Sequence, residues 1–127
     1  MLEELELDKI DKLVILIIKH HSNIKPSRLQ KISLLLYAIL EKVDFSILDE
    51  IEESAQSLKE EGFVDYISGK GFILTSEGEK LAEFIERTNK NKTVKNVVSV
   101  LKNLSDNRIK EIIYHLFPEV KPCVDSS

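Results

Sequence analysis

Few side chains in this sequence could do chemistry, and most of them are charged rather than nucleophilic. Lys19, His20, His21, Lys25, Arg28 and Lys31 crowd into one short stretch. Their shared chemistry is contact with phosphate, where each cation neutralises a backbone charge and releases a counterion. A helix starting at Pro26 would add the partial positive charge of its N-terminus. Lys70 lies in Ser68-Gly-Lys-Gly71. That segment has a Gly–Lys pair but lacks the first glycine and the Ser/Thr of a phosphate-cradling loop, so it reads as a turn. His20 and His21 are adjacent and would face different sides of a helix, which is poor spacing for a shared metal. Cys123 is the single cysteine, and no base accompanies it to make a nucleophile. The expectation is a chain that is not an enzyme and has neither cofactor nor metal.

Negative charge is concentrated between Asp44 and Glu61. Asp44, Asp49, Glu50, Glu52, Glu53, Glu60 and Glu61 stand there against Lys59 alone. A carboxylate can accept a hydrogen bond from cytosine, but a cluster of them beside phosphates is repulsive. Two readings follow. In one, Lys25, Arg28, Lys31 and Lys70 hold double-stranded DNA by its phosphates, and Ser54 and Ser57 meet base edges. In the other, the acidic segment is a solvated face or a contact face for a basic protein partner.

These residues must be positioned by a small fold. At 127 residues the chain suits one domain with a terminal extension. Hydrophobic residues are 43% and charged residues 31%, which excludes a mostly disordered chain. No uninterrupted apolar run, Leu13–Ile18 included, approaches the ~20 residues of a membrane-spanning helix. The acidic start is unlike a signal peptide, and one cysteine suits a reducing compartment, so a cytoplasmic location is expected. Net charge is −4, unevenly spread: residues 1–89 hold 11 Lys and Arg against 18 Asp and Glu, and residues 90–127 hold 7 against 4.

The apolar periods predict six helices and a hairpin. The first helix, about Asp8 to His20, is apolar nearly all round and must be covered on both sides. A second runs from Pro26 to about Lys42. A third, about Ser46 to Glu61, is capped by Asp44 or Ser46 and stopped by Gly62, with Phe63 following. Residues 63–67 and 72–75 read as a hairpin joined by a Gly-rich turn. Ser76-Glu-Gly-Glu79 matches a capping box opening a fourth helix to about Thr88. After a polar linker at 89–92 come helices at about 93–104 and, capped by Ser105 or Asp106, from there to Phe117. A loose tail begins near Pro118.

Certain residues in this order resemble a known pattern. Ile51, Leu58, Gly62-Phe63-Val64, Phe72-Ile73-Leu74-Thr75, Gly78, Leu81 and Ile85 are similar to the "LxxLxxxGxI … xLTxxGxxL" signature of winged-helix regulators of the MarR and PadR kind. The resemblance covers about residues 8–88. Leu29 to Tyr37 also resembles the second helix of SocA-like (Panacea) antitoxin domains. What this implies is a mainly α fold with one short β-hairpin, a winged helix-turn-helix over residues 1–89, and a C-terminal helical extension over 90–127. It further implies a DNA-binding transcriptional regulator, with terminal helices (residues 93–117) forming a homodimer. The alternative is a winged-helix protein-interaction module that uses the acidic third helix.

Overall fold

The computed structural model describes residues 8–40, 47–88 and 92–116. Among them the order is α1 (Lys9–His21), α2 (Pro26–Leu40), α3 (Ile47–Glu60), β1 (Val64–Ile67), β2 (Gly71–Leu74), α4 (Ser76–Thr88), α5 (Thr93–Leu101) and α6 (Asp106–Leu116). The fold is mainly helical with one antiparallel hairpin, as expected. The caps expected at Asp44 or Ser46 lie outside the described residues, as do the second helix beyond Leu40, the linker and domain boundary at 89–91, and the tail from Phe117 with Cys123.

The first helix opens on a reciprocal cap. Asp8 Oδ1 accepts from the Asp11 amide at 2.8 Å, and the Asp8 amide donates to Asp11 Oδ2 at 3.3 Å. All six residues from Leu13 to Ile18 are buried. Burial on every side is possible because α2, α3, α4, α5 and β2 all pack on α1. Each buried Ile or Leu contributes about 1.5–3 kcal/mol, so the β-branched run is stable as a helix wherever its whole circumference is covered. Val98, Leu101, Ile109 and Ile113 join the same buried cluster, so the C-terminal pair shares the core of the preceding elements.

The third helix ends as its sequence dictates. Gly62 adopts φ +88°. Its amide donates to Lys59 O, and the Phe63 amide reaches back to Leu58 O at 3.0 Å. This paired closure satisfies carbonyls that a helix end leaves free, and buried Phe63 supplies the accompanying apolar contact. The strands pair Val64 with Leu74 and Tyr66 with Phe72.

The sheet has a third participant that periodicity does not reveal. Between α1 and α2, Ile24 bridges to Phe72 in antiparallel fashion, with N···O distances of 3.0 and 2.6 Å. Gly71 permits this approach. It has φ +105°, and a Cβ there would lie 2.3 Å from Ile24 O. The segment entering α2 is thereby tied to the hairpin.

One capping expectation is corrected. The α4 cap is Thr75, not Ser76: Thr75 Oγ1 accepts from the Gly78 amide at 3.1 Å. The same hydroxyl donates to Gly62 O at 2.6 Å, which fixes it across the end of the hairpin and leaves Ser76 as the first helical residue. At α6 the cap is Ser105, whose Oγ accepts from the Arg108 amide at 3.1 Å.

Candidate macromolecular interface

The basic stretch is taken apart by the fold. Lys19 and His20, at the end of α1, both engage the Glu86 carboxylate on α4, His20 at 2.8 Å. Burial alone would raise the Glu86 pKa, but the hydrogen bonds from Lys19 and His20 outweigh it and hold the carboxyl below its ordinary range. Lys31 is buried, at 6% exposure, and is not free.

Arg28 faces inward across the molecule. Its Nη2 donates to the carbonyls of Leu101, Lys102 and Leu104 at 3.0, 3.3 and 2.6 Å. Nη1 donates to Asp106 Oδ1 at 2.7 Å, and Nε to His21 Nε2 at 2.8 Å. The side chain is 13% exposed. The guanidinium therefore caps the C-terminal end of α5, where carbonyls lack helical partners and the helix dipole is negative. Its hydrogen bond holds the Asp106 carboxyl below the ordinary range, against a smaller effect of burial. Because Arg28 Nε donates, His21 Nε2 accepts, and His21 Nδ1 carries the proton that goes to Ser22 O at 2.8 Å. Burial lowers the His21 pKa, and Arg28 and Lys102 add to that.

The α3 residues separate in the same way. Ser54 is buried and donates to Asp11 Oδ1 on α1 at 2.5 Å, so it does not stand on the outward face with Ser57. Its position explains this. It lies three residues after Ile51 and four before Leu58, on the stripe that packs inward. Ser57 is exposed, with its hydroxyl on Glu61 at 3.1 Å. Asp49, Glu50, Glu52, Glu53 and Glu60 are all exposed. Lys25, just before α2, and Lys70, at the hairpin tip, are exposed too.

A cleft of about 520 Å³ lies between the start of α2, the side of α3 and the hairpin. Leu29, Ile51, Ala55 and Phe72 form its floor, and Tyr66 stands at its edge. Tyr66 meets Phe72 edge-on, with ring centroids 5.2 Å apart. Glu52 and Lys59 both line the cleft. No group of three metal-ligating side chains occurs among the described residues.

Comparison with protein-family profiles, curated proteins and solved structures finds no match to this chain. The geometry must carry the functional reading. Sequence reasoning placed these cations around the end of α1 and the start of α2 but missed what Lys19, His20 and Arg28 hold. The carbonyl and carboxylate acceptors on Arg28 lie more than seventy residues further on, and no local signal announces them.

Proposed function

We propose that this chain is a winged-helix protein-interaction module that presents α3 to a basic protein partner. One observation carries the reading. The outward face of α3 is acidic and exposed, while Arg28, Lys31, Lys19 and His20, the cations that would have to offset it on DNA, are engaged inside the fold. Two unit charges 4 Å apart in water interact by about 1 kcal/mol. A phosphate beside each of Glu50, Glu53 and Glu60 would thus meet repulsion at every register, whereas a basic protein surface would be steered in.

The test titrates the full chain with a lysine-rich peptide at two salt concentrations, beside the triple variant Glu50→Lys, Glu53→Lys, Glu60→Lys. The expected result is binding by the wild-type protein that the variant loses. Equal binding by both overturns the reading.

A second reading, a DNA-binding regulator, is favoured by exposed Lys25 and Lys70 at the start of α2 and at the hairpin tip. Retardation of duplex DNA at low salt, lost in Lys25→Ala with Lys70→Ala, would select it. In either reading a homodimer through residues 93–117 would use the outward apolar side chains Val100 and Leu116, exposed by 64% and 53%. Light scattering tests that assembly.

A further inference from the structure

We infer that the cleft between α2, α3 and the hairpin receives a single apolar side chain from a basic segment of the partner. This assignment rests on the reading of α3 as a protein-contact face, and adds to it a place and a chemistry.

The first observation is shape. A site for a free small molecule usually encloses most of its ligand. Glu52, Gln56, Lys59 and Tyr66 line this cleft and are exposed, so it opens to solvent and an occupant that fills it must also cover the surface around it. A macromolecular segment does that.

The second is the distribution of apolar surface. Leu29 and Ile51, in the floor, are almost wholly sealed, at 1% and 0% exposure. The apolar surface an occupant can reach belongs mainly to Tyr66, exposed by 41%, whose ring meets that of Phe72 edge-on. Tyr66 is an amphipathic ring whose hydroxyl can stay wet while its face covers an inserted side chain. One Phe- or Leu-like anchor matches such a site, and an extended apolar stripe does not.

The third is charge. Glu52 lines the cleft, and Asp49, Glu50 and Glu53 lie within one turn of it. Lys59 lines the other end, seven residues along α3, or about 10 Å at 1.5 Å per residue. The cleft is therefore polarised. An occupying segment sets its Lys or Arg residues toward the first half of α3 and carries no cation beside Lys59. A nucleic acid would present charge of the wrong sign at the Glu52 end, and an acidic peptide would do the same.

The experiment uses the full chain and three fluorescein-labelled degenerate peptide pools. One has a fixed central Phe flanked by Lys, Arg, Gly or Ser. The second is identical but with central Gly. The third keeps Phe and replaces Lys and Arg with Asp and Glu. The anchored basic pool is expected to bind about tenfold more tightly than the Gly pool. Tyr66→Ala should erase that difference without weakening the Gly pool. Gln56→Trp, which fills the cleft from an exposed position, should do the same, so the outcome does not hang on one variant's folding. Amide shifts on binding should fall on Gln30, Gln56 and Phe72. Equal binding of the two basic pools overturns the cleft assignment while leaving the acidic-face reading in place. No binding of either basic pool removes that reading and the assignment with it. Preference for the acidic pool overturns both.

Discussion

Replacing Arg28 by Ala tests whether this cation builds the molecule or serves a ligand. Its five hydrogen bonds should not be added at face value. Asp106 is 60% exposed on its side chain, so that ion pair is screened and contributes little. The three carbonyls share one nitrogen, Nη2, which has two protons to give. The substantial loss is therefore one or two charge-assisted bonds, at about 1.5–3 kcal/mol each, made to part-buried Leu101 and Leu104 carbonyls. We expect a net loss of about 3 kcal/mol, a large share of the 5–15 kcal/mol typical of a domain. With a urea dependence of about 1.5 kcal/mol per molar, the unfolding midpoint should fall by about 2 M. Amide exchange should show where the loss falls: α5 and α6 should lose protection well before β1, β2 and α4. Arg28→Lys should recover less than half, because it keeps the charge but not the fork. A midpoint shift below about 0.5 M, or loss of duplex binding with stability unchanged, would refute the structural role and return Arg28 to the phosphate-contacting set.

Two further outcomes follow from the same geometry. His21 is held below its ordinary range, so the unfolded chain takes up the proton first. Its contribution is complete above about pH 6.5 and is lost as pH falls below that. Glu86 and Asp106 are also held low, and what they add is present above about pH 4.5 and is lost as pH falls further. Thermal unfolding should thus show a flat midpoint near neutrality and two stages of decline on acidification, and a midpoint that rises between pH ~7 and ~6 would contradict this. Separately, Gly71→Ala should cost about 3 kcal/mol, because φ +105° is strained for alanine and the new Cβ collides with Ile24 O. Urea denaturation measures that loss, and loss of the Ile24 amide's exchange protection locates it.

Features of this fold that depend on neighbours in sequence were readable, and those that depend on distant partners were not. Gly62 followed by Phe63 announced the end of α3 because the closure uses only residues 58–63. The all-round apolar α1 announced that other elements must cover it, and α2, α3, α4, α5 and β2 all pack on it. The α4 cap missed by one residue. Thr75 and Ser76 are both good cap residues, and the choice between them is made by Gly62 O, a partner brought up by the hairpin. Ser54 could have been placed from its stripe, but its hydroxyl drew it to the outward face on paper; the acceptor that makes burial tolerable is on α1. The Ile24 bridge is one residue pair and leaves no period to detect. The site was less legible than the fold for a related reason. A cation's sequence position says nothing about whether an acceptor inside the fold will claim it.

That point also decides which measurement can separate the two functions. Lys25 and Lys70 together would neutralise two phosphates, giving a salt slope of about 1.8 at ~0.9 per contact. A basic segment on the carboxylates of α3 also weakens with salt, since exposed charges are screened within about 10 Å at 0.1 M. Salt dependence alone therefore does not discriminate. The sign of the substitution does. Removing the acids of α3 relieves repulsion in a DNA complex and should tighten it, whereas it removes the attraction in a complex with a basic protein. Glu50→Gln with Glu53→Gln keeps size and hydrogen bonding while deleting charge, so packing is not the variable. Duplex affinity that rises in this variant supports DNA recognition, and affinity for the lysine-rich peptide that falls supports the protein-interaction module.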